Sequence, residues 1–325
     1  MRHELRGQEG GRDLEVLLVG GLGFIGKHII RRLDQCNLSV LSDVRGASDN
    51  AAFVKRCGLK VEVCDIRDGG QVREVMLRQR PEAVVHLAAL TGIERCNVDP
   101  SLAFSVNVLG TYNVVMGCAA CRARLIFISS REVYGETTFE KAREEDPLVP
   151  NNVYGITKLL GERLVAWAAT KHNLDHVILR LTNVYGPGGD QYGVQKIIKE
   201  ALSKGRIKIL GGSQQMDFIY VEDVAEVVRR CLDDPRVSGQ VFNVGSGEAI
   251  SVEEMASKLV SLLDTSIQIN RGPMREGETL RFVPSLERLD KALGYLPSTT
   301  LLTGLRKTID WYRSGSTISY TNAEK

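Results

Sequence analysis

The sequence predicts an α/β fold, a doubly wound parallel sheet followed by a smaller mixed α/β lobe. Three observations predict it. The first half alternates short apolar runs with helical patterns, the runs are apolar at consecutive positions, and a glycine-rich segment directly follows the first run. Consecutive apolar residues mark strands covered by helices on both faces, whereas a strand with one wet face alternates. Strands separated by helices join through crossovers into a parallel sheet.

The apolar runs are Glu15–Val19, Leu38–Leu41, Leu59–Val63, Ala83–Leu87 and Arg124–Ile128. Helical patterns between them fit Phe24–Cys36, Asn50–Cys57, Gly70–Arg78 and Val106–Cys121. A long helix containing Val153–His172 leads to a strand at His176–Leu181. After about Asn183 the pattern loosens. Gly186–Gly189 is a turn-rich loop, and helices are expected at Val194–Lys204 and Val224–Leu232. Ser251-Val-Glu-Glu254 has the spacing of a capping box and opens a helix toward Leu263. Leu286–Leu293 and Leu301–Tyr312 complete the fold. The expected division is a first domain over 14–182, a smaller lobe over 183–313 with segments returning to the first domain, and a mobile tail over 314–325 with little to bury.

With 325 residues the chain can bury a large core. Its 42 basic and 40 acidic residues sum to +2, so no global charge draws it to nucleic acid or an anionic membrane. Met1–Asp13 is polar and does not resemble a signal peptide, and no run approaches the roughly 18 apolar residues of a membrane span. Cys118 and Cys121 have C-x-x-C spacing, but they lie inside an expected helix and no second Cys/His pair follows. The seven cysteines therefore read as reduced residues of a cytoplasmic protein, with no metal site. Glycine, at 32 residues without collagen periodicity, has to be explained position by position.

Gly20-Gly21-Leu22-Gly23-Phe24-Ile25-Gly26 runs from a strand into a helix, with Gly20, Gly23 and Gly26 spaced G-x-x-G-x-x-G. Glycines there let the backbone turn and approach a pyrophosphate, and the helix start offers free N–H groups. This is the fingerprint of a Rossmann-type dinucleotide site. Asp43, ending the second strand, can accept both adenosine ribose hydroxyls and would repel a 2′-phosphate, which favours NAD over NADP. Arg45 close by keeps NADP open, since a basic side chain accommodates that phosphate. Asp65, after the third strand, reads as a contact to the adenine amine or as a loop cap. Phe24, Ile25 and Ile66, neighbours of these residues, belong to the same expected cofactor site.

Tyr154-Gly-Ile-Thr-Lys158 is a Y-x-x-x-K motif whose two ends share one helix face. A lysine ammonium and a nicotinamide cation near Tyr154 would favour its phenolate, which could take a hydroxyl proton while hydride leaves the same carbon. Ser130, after the fifth strand, could hydrogen-bond that oxygen.

Together with His86-Leu-Ala-Ala89, Asn107-Val-Leu-Gly-Thr111, Ser129–Gly135 and Asn183-Val-Tyr-Gly-Pro187, in this order, these motifs resemble the extended short-chain dehydrogenase/reductases, specifically the nucleotide-sugar epimerases and dehydratases. The resemblance runs from about Glu15 to Tyr312. It implies that Ser130, Tyr154 and Lys158 are the catalytic core, that His86, Leu87, Ala88 and Ala89 line the dinucleotide site, and that Asn107 lies close to the catalytic helix or cofactor. It also implies a nucleoside-diphosphate sugar as substrate, transient C4 oxidation, and a homodimer through the helices around Val106–Cys121 and Val153–Ala169.

The branch turns on Arg131-Glu132-Val-Tyr-Gly135. Similar 4,6-dehydratases often carry an Asp-Glu pair there, one acid protonating the leaving hydroxyl and the other acting at C5. Glu132 matches the Glu, but Arg131 stands at the Asp position and cannot donate a proton usefully. Glu132 is then a dehydratase base, a sugar-orienting group, or an ion-pair partner of Arg131. Arg131 could also recognise a substrate carboxylate, as on a uronic acid. A 4-epimerase, which needs no extra acid, is the favoured reading; the alternatives are a 4,6-dehydratase and, behind it, a decarboxylase or a reductase. Arg180 and Asn183, at the end of the sixth strand, mark the diphosphate site. Asn183, Tyr185, Lys196 and Arg275 are the expected substrate contacts, and Met216 stands where similar chains have an arginine before Asp-Phe.

Overall fold

Seven strands form the central sheet: β1 (Glu15–Val19), β2 (Asn37–Ser42), β3 (Lys60–Val63), β4 (Ala83–His86), β5 (Arg124–Ser130), β6 (His176–Leu181) and β7 (Gln240–Val244). They are all parallel, in the order β7-β6-β5-β4-β1-β2-β3. The computed structural model describes residues 14–33, 35–137, 139–189, 193–263, 267–274 and 276–315. Every residue of β4, β5 and β6 is buried, as their unbroken apolar runs require. The edge strand β3 is half-exposed. The strand order reverses between β1 and β4, and a crevice opens at the carboxyl ends there.

Helices cover both faces. On one, α1 (Phe24–Arg32) packs beside a helix at Val221–Asp233, and Ile29, Ile30, Val224 and Val228 meet Val16, Leu18, Val85 and Leu179 in one core. On the other lie α2 (Gly69–Gln79), α3 (Gly110–Cys121) and α4 (Val153–His172), where Val72, Met76, Val115, Cys118 and Val165 pack on Leu17, Val84 and Phe127. This is the expected doubly wound arrangement.

The smaller lobe is built from short paired segments. Asn183–Tyr185 pairs with Phe218–Tyr220, Arg206–Leu210 with Gln268–Gly272, and Gln215–Met216 lies between Ile250–Ser251 and Arg281–Phe282. Around them pack α5 (Gly193–Lys204), the helix at Val221–Asp233, here α6, and α7 (Val252–Leu263) and α8 (Leu301–Arg313). The capping box forms as expected: Glu254 N donates to Ser251 Oγ at 3.0 Å, and Ser251 N donates to Glu254 Oε2 at 2.9 Å.

Several boundaries differ from expectation. α1 stops at Arg32, not Cys36. α6 starts at Val221, three residues early, because Tyr220 gives no side-chain cap and so no start signal. The helix expected from Val106 is preceded by Pro100–Phe104, capped by Asp99 on Leu102 N, and a wider π-turn at Ser105–Leu109 joins the two. The resulting run, Pro100–Cys121, is long and apolar enough to span a membrane, which the sequence reading excluded for every segment. Its Val114, Val115 and Cys118 are nevertheless wholly buried against the sheet.

Candidate active site

The glycine loop closes β1 onto α1 through backbone contacts that leave no room for side chains. Gly20 has φ +80°, and a Cβ there would lie 2.7 Å from the Ala88 backbone. A Cβ on Gly26 would lie 2.3 Å from Gly21 O, so the helix can rest directly on the loop. Gly23 begins α1 with no side-chain cap on the helix and no acid in its first turn. Its uncapped N–H groups and positive dipole end suit a phosphate.

This loop opens on a cleft of about 680 Å³ at the strand-order reversal. Gly20, Gly23, Phe24, Ile25, Gly26, Asp43, Asp65, Ile66, Leu87, Ala88 and Ala89 all line it, and so do Ser130, Tyr154 and Lys158. Leu22, Ser42, Thr91, Thr182 and Val184 join them without having been expected. Asp43 accepts from Gly46 N at 2.6 Å. Asp65 accepts from Arg67 N and Nε at 2.9 and 3.0 Å, and the Arg67 guanidinium lowers its pKa. The side chain of Arg45 lies outside the described residues.

One expected lining residue, His86, is elsewhere. His86 is buried beneath the cleft floor, with Nε2 3.0 Å from Thr111 Oγ1, and burial together with the Lys158 charge pulls its pKa down to about 3. Asn107 does not line the cleft. Its Oδ1 accepts from Leu90 N at 2.7 Å, and its Nδ2 donates to Leu90 O and Thr157 Oγ1, both at 3.0 Å. These three bonds tie the loop after β4 to Thr157 of α4, so Asn107 lies against the catalytic helix, as the resemblance implied, and positions it.

At the far end of the cleft, α4 presents Tyr154 and Lys158 one turn apart, and Ser130 ends β5. Lys158 is 5% exposed, with Nζ 4.4 Å from the Phe127 ring centroid. Burial lowers its pKa to about 8, partly opposed by the Glu162 charge. Ser130 Oγ accepts from Glu132 N at 3.2 Å. Asn152 caps α4, its Oδ1 accepting from Gly155 N at 2.8 Å. An asparagine directly before a helical pattern is the sequence signal that could have found it.

A buried polar network fixes α4 against the sheet. Arg180 donates from Nε and Nη2 to Glu162 at 3.0 and 2.8 Å, and from Nη1 to Tyr134 Oη at 2.8 Å. Ser129 Oγ donates to Glu162 Oε1 at 2.6 Å, and Tyr134 Oη donates to Asn243 Oδ1 at 2.8 Å. Strands β5, β6 and β7 are thus tied to the helix that carries Tyr154 and Lys158. Arg180, expected with Asn183 at the diphosphate site, has its side chain wholly engaged in this network instead.

A second cavity, of about 250 Å³, adjoins in the smaller lobe. Arg131, Asn183, Lys196, Lys208, Met216 and Glu278 line it, along with an apolar wall of Ile209, Leu210, Phe218, Val252 and Met255. Asn183 Nδ2 donates to Asp217 O at 2.8 Å. Glu132 does not line either cavity. Its Oε1 pairs with Arg131 Nη2 at 2.8 Å, and its Oε2 accepts from Asn152 Nδ2 at 2.9 Å. Tyr185, expected at the sugar cleft, is 1% exposed and packed in the lobe core, its hydroxyl donating to Leu301 O at 3.3 Å. The backbone of Gly304 lies so close to the ring that a Cβ there would meet the hydroxyl at 2.1 Å. Arg275 lies outside the described residues.

Among the described residues no cluster of His, Cys, Asp and Glu could hold a metal ion. None of the seven cysteines is in a disulfide, and burial raises the Cys118 thiol well above its ordinary value. The glycine cradle, the bare start of α1 and the Asp43 carboxylate instead fit a dinucleotide.

Comparison with known proteins agrees. A family model described as the NAD dependent epimerase/dehydratase family matches residues 16–245. A putative UDP-glucose 4-epimerase of Methanocaldococcus jannaschii is 28% identical over 315 residues, covering 93% of this chain and 99% of that protein. dTDP-glucose 4,6-dehydratase 1 of Escherichia coli is 27% identical over 340 residues, covering 93% of this chain and 94% of its own length. Among solved structures, the Thermus thermophilus UDP-glucose 4-epimerase in complex with NAD superposes with a TM-score of 0.82 at 28% identity, covering 93% of this chain and 99% of that one.

Proposed function

Since the chain belongs to the NAD dependent epimerase/dehydratase family and uses NAD as its cofactor, we propose that it is a nucleotide-sugar 4-epimerase acting through transient oxidation at C4. The observation that carries this choice within the family is the state of Glu132. Both its oxygens are engaged, one by Arg131 and one by Asn152, and an arginine precedes it. Dehydration needs an acid to protonate the leaving C6 hydroxyl and a base at C5. Arginine cannot serve as that acid, and Glu132 is held as the partner of a buried cation. Epimerisation needs neither group.

In this reading the phenolate of Tyr154 takes the proton of the C4 hydroxyl. The Lys158 ammonium, one helical turn on, favours that phenolate. The Ser130 hydroxyl donates to the same sugar oxygen while its own oxygen stays fixed by Glu132 N. NAD, when bound, supplies reversible hydride acceptance, so it is not consumed. The glycine loop and the start of α1 hold its pyrophosphate, and Asp43 its adenosine ribose. The second cavity takes the nucleoside diphosphate, with Asn183 and Lys196 at the phosphates and Arg275 as a further contact. We place the enzyme in the cytoplasm as a homodimer.

The test is incubation with a panel of UDP-, dTDP-, GDP- and CDP-sugars. A product of unchanged mass whose NMR spectrum shows inversion at C4 is expected. Loss of water would assign the dehydratase instead, and loss of carbon dioxide a decarboxylase. Stoichiometric oxidation of NADH would assign a reductase.

A further inference from the structure

Arg131 is 5% exposed, and only part of its guanidinium is matched. Nη2 holds Glu132 Oε1 at 2.8 Å, and the guanidinium carbon lies 5.8 Å from the Phe282 ring centroid. Nη1 is buried and has no hydrogen-bond partner among the described residues. A buried guanidinium N–H without an acceptor is costly, and native structures rarely leave one so. The open space that Arg131 borders is the second cavity, where Lys196 and Lys208 add two more cations against Glu200 and Glu278. Both lysines are exposed on flexible stems. Arg131 differs from them: its buried guanidinium is held by Glu132 and lies near the Phe282 ring.

We infer that Arg131 is the specificity-determining cation of this cavity, its Nη1 donating to an oxyanion of the substrate. That oxyanion is the diphosphate or a carboxylate carried on the sugar; an arginine edge recognises both by the same charge-assisted hydrogen bonds. The inference rests on the nucleotide-sugar reading and sharpens it. Met216 offers an internal control. It lines the same cavity, is buried, and packs in one cluster with Phe282, the ring beneath the Arg131 guanidinium. An arginine at 216, on the strand that pairs with Arg281–Phe282, therefore brings a guanidinium to the same space.

The experiment measures calorimetric affinities of the NAD-loaded protein for UDP, UDP-glucose and UDP-glucuronate, and for dTDP, GDP and CDP and their hexose conjugates. Arg131→Lys keeps a cation for Glu132 but removes the second nitrogen. Its affinity is expected to fall on the order of tenfold or more, and Met216→Arg added to it is expected to recover most of that loss. Equal weakening of UDP and UDP-glucose assigns the diphosphate, whereas weakening confined to UDP-glucuronate assigns the carboxylate. If the unaltered protein binds these ligands and Arg131→Lys binds them equally well, the inference is overturned while the nucleotide-sugar reading stands. If the unaltered protein binds none, both fall. Retained NAD and an unchanged melting temperature report that Arg131→Lys is folded. Should it fail to fold, Met216→Arg alone is expected to tighten binding of the same ligands, and an unchanged affinity overturns the inference.

Discussion

Lys158 carries a charge in a place that resists charge. It is buried over the Phe127 ring, and burial brings its pKa from 10.5 to about 8. The charged form is disfavoured in the folded state, so the cost is fully present below about pH 8 and is relieved as pH rises toward the unfolded value. Lys158→Met is therefore expected to be more stable than the unaltered protein near neutral pH by up to about 3 kcal/mol. That gap closes as pH rises toward 10.5. Urea unfolding of cofactor-free protein across this range checks it, and a gap independent of pH would exclude the assignment. Tyr154→Phe separates chemistry from binding. Turnover is expected to fall by about 10²–10⁴-fold while NAD remains bound, and unchanged sugar conversion would reject Tyr154 as the base. Glu132→Gln keeps the hydrogen bond to Asn152 in kind but loses the anion paired with Arg131, so in an epimerase it is expected to weaken substrate binding while leaving the C4 step itself in place. Loss of C6 deoxygenation with retained C4 oxidation would instead reveal a dehydratase.

Elements show why some of this could be read from sequence and some could not. The glycine loop, the Y-x-x-x-K face and the capping box are local: each is a spacing within a few residues, and one backbone conformation follows from it. Six strands of the central sheet announce themselves through apolar runs, whereas β7, its short run broken by Gln240 and Asn243, does not. Tyr185 and Arg180 illustrate the opposite case. Its neighbours in the chain point Tyr185 to the sugar cleft, yet Gly304 of α8, more than a hundred residues later, covers its ring. Arg180 finds its partner Glu162 on α4, and nothing between residues 162 and 180 marks the two as a pair. Asn107 carries the right polarity for a ligand, but its three hydrogen bonds are spent on Leu90 and Thr157. The Arg180–Glu162 pair makes its own prediction. Arg180→Met leaves a buried carboxylate without its cation and is expected to cost about 3–5 kcal/mol. Replacing both residues by Met is expected to cost less than the sum of the single changes. Thermal and urea unfolding of the double-variant cycle measures this, and strict additivity would mean that the pair does not act as a unit.

At the scale of the whole molecule, the run Pro100–Cys121 and helix α4 have more apolar surface than one sheet can cover. One side of each packs inward through Val114, Val115, Cys118, Val165 and Ala168. The other side leaves Phe104, Leu109, Tyr112, Ile156, Leu160 and Trp167 partly exposed, with Trp167 at 45% and its indole stacked on Tyr112 at 6.4 Å between centroids. A contiguous apolar patch of this kind on a folded surface marks an association site. The proposed homodimer would place a second copy of the chain here, two adjacent helices from each copy facing one another. The consequence reaches the chemistry, because α4 has Tyr154 and Lys158 at the cleft and Ile156, Leu160 and Trp167 among the patch residues. Covering the patch would restrain the same helix that aims the base. Light scattering of the unaltered protein at micromolar concentration is expected to give twice the chain mass of 35.8 kDa. Tyr112→Glu with Trp167→Glu is expected to give a folded monomer that still binds NAD but turns over more slowly. A protein that is monomeric before any substitution would remove the homodimer, and with it the restraint on α4.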